Sequence, residues 1–426
     1  MRSLLQTFST VRRHEIVPVL LAGLFFFCIL TALMVVRPAR EALGMQRGIE
    51  AVRWLFLGTL LVTLLVNPLF GYLVSRFRRR RFVTVTYLFF ALGLGVFYAL
   101  LAFAPAQVGV RSGQVFYVWF SVFNLFATML FWAFMADSFT ADQSERLFGA
   151  IAVGGTLGAI AGPALAGVLA SWFGVASLLL AGALALVAAL IVAGFFSTRA
   201  ETESTAPSEA VIGGGAWEGL RLLLTSPYLL AVAGYVVMVA VIATFLYFTR
   251  LQMVAQLALD TDTRAAVFAR IDLVTQVATL ALQAVLTGHI MKRCGVGVAM
   301  VLLPLTVMLG FAGLALAGTL AALIAFESAF RAVQRGVMRP ARETLFTVVP
   351  RAERYKAKAF IDTFVYRGGD ALGAQTEGIL VRLGFGLAGL AAFVLPLALV
   401  WGVLGVWLGY RRHQLKLKGG SNDDTT

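Results

Sequence analysis

Apolar runs of about twenty residues follow one another along nearly the whole chain, near 15–36, 53–75, 82–104, 114–136, 147–171, 176–196, 228–248, 264–290, 297–317, 319–345, 358–382 and 387–410. A helix of roughly 20 apolar residues crosses the hydrocarbon core of a bilayer. Lipid offers backbone groups no hydrogen-bond partner, so each run must satisfy its own N–H and C=O groups, as an α-helix does. Hydrophobic residues make up 60% of the 426 and charged residues 13%, against about 45–50% apolar in soluble domains. These runs predict an all-α polytopic membrane protein with about 12 transmembrane helices in two pseudo-symmetric six-helix bundles. The predicted organisation is an N-terminal bundle over 1–196, a central cytoplasmic loop with a short interfacial helix over 197–227, a C-terminal bundle over 228–410, and a cytoplasmic tail over 411–426.

The net charge is +14, carried by 30 arginines and five lysines. In a soluble chain that balance would suggest nucleic acid. Here the basic residues lie mostly in short loops, where they set topology, so no nucleic-acid partner is expected. Arg76 and Arg78 to Arg81 follow the second run, Lys292-Arg293 the eighth, Arg351 to Lys358 the tenth and Arg411-Arg412 the twelfth. All fall on one side, which predicts cytoplasmic termini; the expected location is a bacterial inner membrane. No cleavable leader is expected, because the first run is long and lacks a small-residue cleavage pattern. The linker starts polar at Ser197, passes Gly213-Gly214-Gly215 and ends in Trp217 to Leu224, the stretch read as interfacial.

Several chemistries are excluded. No lysine follows a glycine, so there is no phosphate-cradling GxxxxGK loop. His14, His289 and His413 form neither a spaced metal pair nor a triad, and Cys28 and Cys294 suggest neither disulfide nor metal. No enzyme, cofactor or metal is expected, and secondary transport remains.

Charge inside the apolar runs narrows that reading. The heptapeptide Arg37-Pro38-Ala39-Arg40-Glu41-Ala42-Leu43 returns as Arg339-Pro340-Ala341-Arg342-Glu343-Thr344-Leu345. The second copy extends a row, Glu327, Arg331, Arg335, Arg339 and Arg342, which at about 100° per residue falls within an arc of roughly 120°. An arginine at the bilayer centre costs on the order of 3 kcal/mol on insertion scales, so the row is expected to face water inside the protein or a bound anion. Arg37, Arg40, Arg47 and Arg53 lie where topology alone would not put them, which suggests a pore-facing role.

The halves repeat. Gly71-x4-Arg76 after the second run matches Gly288-x4-Arg293 after the eighth, and Ser144-Glu145-Arg146-Leu147 matches Ala352-Glu353-Arg354-Tyr355. Two related six-helix bundles about a central loop resemble the major facilitator superfamily. Gly71-Tyr72-Leu73-Val74-Ser75-Arg76-Phe77-Arg78-Arg79-Arg80 resembles that superfamily's loop G-x-x-x-D-R-x-G-R-R, with Ser75 in the aspartate's place. The resemblance implies a gating loop built on Gly71, Arg76, Arg80, Gly288 and Arg293, whose basic residues meet lipid headgroups and form gating ion pairs. Gly149-x8-Gly158-x3-Gly162-Pro163-x2-Ala166-Gly167 resembles the glycine motif of proton-coupled antiporters in the same superfamily. Glycines four apart equally serve plain backbone-to-backbone packing.

Three further blocks, Arg339 to Phe346, Tyr355 to Asp362 and Arg367 to Gly373, resemble the plastid and intracellular-parasite type of ATP/ADP translocase. Arg37 to Leu43, Phe131-Trp132 through Arg146 and Gly155, and Lys292 to Gly297 with Pro304 agree with it. That family's lysine in span one falls on Arg40, and its lysine near span eleven falls on Lys356 or Lys358. Its acid before span five falls near Gln143 and Glu145; its acid in span seven has no counterpart over Tyr228 to Phe248. The resemblance implies an anionic, nucleotide-like substrate.

The residues point the same way, since arginine offers a fixed fork of donors that matches phosphate and carboxylate bidentately. Predicted substrate-binding residues are Arg37, Arg40, Arg331, Arg335, Arg339, Arg342, Lys356, Lys358 and Arg367. Predicted coupling or charge-pairing residues are Glu41, Glu327, Glu343, Asp362, Asp370 and Glu377. Arg37 and Arg40 of the first half are expected to face Arg331, Arg335 and Arg339 of the second, with the halves rocking about the anion. The partners expected are a small anionic solute and membrane lipid, and the protein is expected to be a monomer. A proton-coupled drug or metabolite antiporter and a non-transporting membrane scaffold or sensor are the alternatives.

Overall fold

The computed structural model describes residues 12–76, 79–200, 216–257, 259–286 and 290–423. Each apolar run is helical, and no strand occurs among the described residues. The helices are α1 (Ile16–Gly44), α2 (Ile49–Arg76), α3 (Arg79–Phe103), α4 (Ala106–Ser138), α5 (Ala141–Phe173), α6 (Val175–Ala200), the short α7 (Ala216–Thr225), α8 (Pro227–Ala255), α9 (Thr261–Leu286), α10 (Ile290–Ala317), α11 (Leu320–Val333), α12 (Arg339–Leu345), α13 (Arg351–Phe360), α14 (Tyr366–Arg382) and α15 (Leu387–Asp423). Ten are long and apolar enough to cross a membrane. The tenth and eleventh predicted spans are instead each interrupted by a π turn: Gln334–Met338 joins α11 to α12 and Ile361–Val365 joins α13 to α14. A π turn admits an extra residue and rotates the next helical segment away from its ideal register. The middle of the central linker, 201–215, lies outside the described residues, as does the end of the tail, 424–426; α15 carries the helix on to Asp423.

The chain forms two compact units, Met1–Ala210 with Ala258–Leu273, and Val211–Leu257 with Val274–Thr426. In unit 1, α1 packs chiefly against α5 and α6. Glycines on α5 make the first contact possible. A methyl at Gly154 would meet the carbonyl of Gly23, one at Gly158 the carbonyl of Phe27, and one at Gly162 the Met34 side chain. Spaced by four, these positions share one helix face and let two backbones touch. Aromatic rings fill the space beside them. Phe26 stacks on Phe131 at 4.2 Å between centroids, and the buried Tyr87 hydroxyl donates to the Ala127 carbonyl at 2.6 Å.

The first half of α9 belongs to this unit for reasons visible in its side chains. Asp262 Oδ1 accepts the Val175 N–H at 2.7 Å, capping α6 just after Gly174, which turns at φ 75°. Ala265, Ala266 and Ala269 join the unit 1 core. Asp260 caps α9 itself, accepting the N–H groups of Asp262 and Thr263 at 3.0 Å and the Thr263 hydroxyl at 2.6 Å. Those donors, the Thr263 hydroxyl first, hold its carboxyl below the usual range.

Unit 2 repeats the plan. Its first helix, α8, packs against α14, and here too glycines four apart meet it: a methyl at Gly373 would lie 3.0 Å from the Val241 backbone, and one at Gly369 2.7 Å from Ala240. Gly409 on α15 faces Gly297 on α10. Tyr235 donates to the Met300 carbonyl at 2.7 Å and Tyr228 to the Leu345 carbonyl at 2.9 Å.

Candidate substrate site

In unit 1 the first heptapeptide forms the last two turns of α1. Arg37 Nε lies 3.7 Å from Oδ2 of Asp272, a buried residue of α9. Arg40 Nη1 donates to Glu41 Oε1 at 3.0 Å and Nη2 to Ser121 Oγ at 3.3 Å, and its guanidinium stacks 3.8 Å above the Tyr117 ring centre. Glu41 is buried. Two cations thus meet two carboxylates. Arg53 pairs within its own helix, with Glu50 at 2.6 Å.

Unit 2 holds a buried ion triad. Glu327 on α11 is held by Arg331, one turn on, and by Arg250 of α8 at 3.3 Å; both cations reach the same oxygen, Oε1. Relative exposure is 1% for Arg250, 7% for Glu327 and 8% for Arg331. All three side chains of this triad are buried. A buried charge is tolerated only when paired and hydrogen-bonded, and here two guanidiniums reach one carboxylate oxygen.

A second cluster lies around the second heptapeptide and the two π turns. Arg342 contacts Asp362 at 2.9 Å and Glu343 at 3.4 Å, and Lys358 Nζ contacts Glu343 at 2.5 Å. Arg367 pairs with Asp370 at 3.1 Å, and Asp370 also accepts the Thr244 hydroxyl at 3.4 Å. The fully buried Glu377 accepts a hydrogen bond from Gln252 at 2.5 Å.

The predicted arginine row therefore does not act as one stripe. Glu327 and Arg331 are buried before the first π turn, Arg335 and Arg339 are exposed, and Arg342 is turned to Asp362. Lys356 is half-buried. Gly71 lies on α2, whereas Gly288 and the side chains of Arg76, Arg80 and Arg293 fall outside the described residues. Among the described residues no three His, Cys, Asp or Glu converge as metal ligands.

Three charged partners escaped the sequence reading. Arg250 lies just past the predicted end of span seven, on a helix that continues to Ala255. Asp272 sits inside an apolar run, a signal in itself. Glu15, buried at the start of α1, is clamped by two nitrogens of Arg146, at 2.9 and 3.2 Å.

Three solved structures share this fold over nearly the whole chain. A bacterial homologue of the human lysosomal transporter Spinster, inward-facing and unoccupied, is 13% identical with a TM-score of 0.62, covering 96% of this chain and 98% of that one. A POT family transporter in complex with a thioalcohol-conjugated peptide is 12% identical, TM-score 0.63, covering 92% and 96%. The nucleoside transporter NupG, as a single-residue mutant, is 12% identical, TM-score 0.61, covering 94% and 99%. No curated protein sequence matches the chain. The sequence profile of the Major Facilitator Superfamily matches residues 19–334, well over half of the 426. With ten long apolar helices, two glycine-packed units and that match, the chain belongs to the Major Facilitator Superfamily and is a multi-pass membrane transporter.

Proposed function

We propose that this protein is a secondary active transporter of an organic anion, a nucleotide or another phosphorylated metabolite, working by alternating access with exchange or proton coupling. We place it in the bacterial inner membrane as a monomer with both termini cytoplasmic. The observation that carries this reading is the buried Arg250–Glu327–Arg331 triad, whose two guanidiniums share one carboxylate oxygen. Around the second heptapeptide, Arg342 meets Asp362 and Arg367 meets Asp370. A guanidinium fork matches phosphate oxygens bidentately, and a cavity rich in such forks repels cations. The translocase-like blocks at 339–346, 355–362 and 367–373 fall on this same cluster, which favours a nucleotide among anions. The antiporter reading rested on the α5 glycines, and their contacts with α1 account for them as packing.

The test is uptake into liposomes reconstituted with purified protein, together with thermal unfolding against nucleotides, sugar phosphates, carboxylates and cationic drugs. A cargo at 100 times its Kd adds about 2.7 kcal/mol of stability. Stabilisation by nucleoside phosphates, with flux lost in Arg339→Ala and Arg335→Ala but folding kept, is the expected result. Stabilisation by cationic drugs alone, or wild-type flux in both variants, would overturn the proposal.

A further inference from the structure

Unit 1 contains a feature unrelated to the charged clusters. α2 packs against α4 and leaves its sequence neighbour α3. The space so opened, between α2 and the α3–α4 pair, is a groove of about 1010 Å³. Its walls are apolar, with Val62 and Val66 from α2, Val85 and Phe89 from α3, and Val118 and Trp119 from α4. Val85 and Phe89 are largely exposed, so the groove is open to the surroundings of the helices.

Polar groups mark its limits. Gln114 lines the groove, and its amide donates to the carbonyls of Leu43 and Gly44 at 3.4 and 3.1 Å, so it is occupied at the end of α1. Arg81 lines the other end, is exposed, and closes the sequence run Arg78-Arg79-Arg80-Arg81. From Leu55 to Val66, both lining residues, α2 rises about 16 Å. One leaflet of a bilayer core is about 15 Å deep. The groove thus has the depth of one acyl chain and ends in a guanidinium where a headgroup phosphate would sit.

We infer that this groove is a binding site for one anionic phospholipid. An acyl chain fills the space between α2 and α3–α4, and the Arg81 guanidinium holds the phosphate with two parallel hydrogen bonds. Basic residues at the mouth of an apolar inter-helix cleft select anionic over zwitterionic headgroups. The site is independent of the cargo reading, since no residue of the charged clusters lines it.

The experiment is native mass spectrometry of delipidated full-length protein in detergent, titrated with phosphatidylglycerol or phosphatidylcholine of the same chains. Wild type is expected to take up one phosphatidylglycerol at least tenfold more readily than phosphatidylcholine. Arg81→Ala should erase the preference and Arg81→Lys keep part of it. Val85→Trp, which fills the groove and leaves every charge in place, should lose the bound lipid. Equal uptake of the two lipids by wild type, a preference that survives Arg81→Ala, or full retention in Val85→Trp would each overturn the proposal.

Discussion

Glu327→Gln isolates the charge of the buried triad from its shape. Glutamine fills nearly the same volume, so packing is kept and only the carboxylate is lost. Both guanidiniums contact the same oxygen, Oε1, so their charges lie within about 6 Å and repel by about 3 kcal/mol at an effective dielectric near 20. Removing one partner of a buried ion pair costs about 3–5 kcal/mol, which includes that repulsion. In a unit of this size about 1 kcal/mol moves Tm by roughly 2–4 °C, so the variant should melt about 6–20 °C lower. Pyrophosphate should restore part of the loss, because an added anion replaces the missing carboxylate. The control is the triple variant Arg250→Met, Glu327→Leu, Arg331→Met, which removes all the charges. It should fold with near wild-type stability, as buried ion triads replaced by apolar residues often do, yet lose the response to pyrophosphate. The assay is fluorescence-monitored unfolding in detergent. A Tm within about 2 °C of wild type for Glu327→Gln would refute the reasoning, because 3 kcal/mol cannot be lost without a shift larger than that. A triple variant as unstable as the single one would show that packing, not charge, was removed.

Glycines of α5 and α3 predict opposite signs for the same substitution. Gly154→Ala drives a methyl into the Gly23 carbonyl and should destabilise by about 1–3 kcal/mol, whereas Gly95→Ala, with nothing within 4 Å, should be neutral or gain up to about 1 kcal/mol from helix propensity; chemical denaturation distinguishes the two. Lys358→Ala breaks a contact between half-exposed partners and should change stability by less than about 1 kcal/mol, while Arg342→Ala, which frees Asp362 from a 2.9 Å pair, should abolish anion flux in liposomes. Arg146→Ala should lower Tm more than Asp142→Ala, because Glu15 is buried and Asp142 is exposed; equal shifts would argue against the clamp.

How much of this was legible in the sequence depends on what each signal measures. Hydropathy found the ten long helices among the described residues, because a run of about 20 apolar residues has one stable form in lipid. Glycines at 158 and 162 announced a close helix contact by spacing alone, though not that α1 would be the partner or that Gly154 would join them. The paired heptapeptides even share a local contact, Arg40 to Glu41 at 3.0 Å and Arg342 to Glu343 at 3.4 Å, since neighbouring residues need no tertiary information to meet. The arginine row failed because it assumed about 100° per residue throughout, and the π turn at Gln334–Met338 breaks that step between Arg331 and Arg339. Arg250 was missed for a different reason. A hydropathy reading ends a span at its first charge, so it stopped at Phe248, yet α8 goes on through Leu251, Met253 and Val254, all buried. The charge that ended the run is itself buried, against Glu327. Asp272, buried within α9 beside Arg37, repeats the pattern. A lone charge followed by renewed apolar residues is therefore better read as part of a span than as its end, because a chain that resumes burial after a charge has a partner waiting for it.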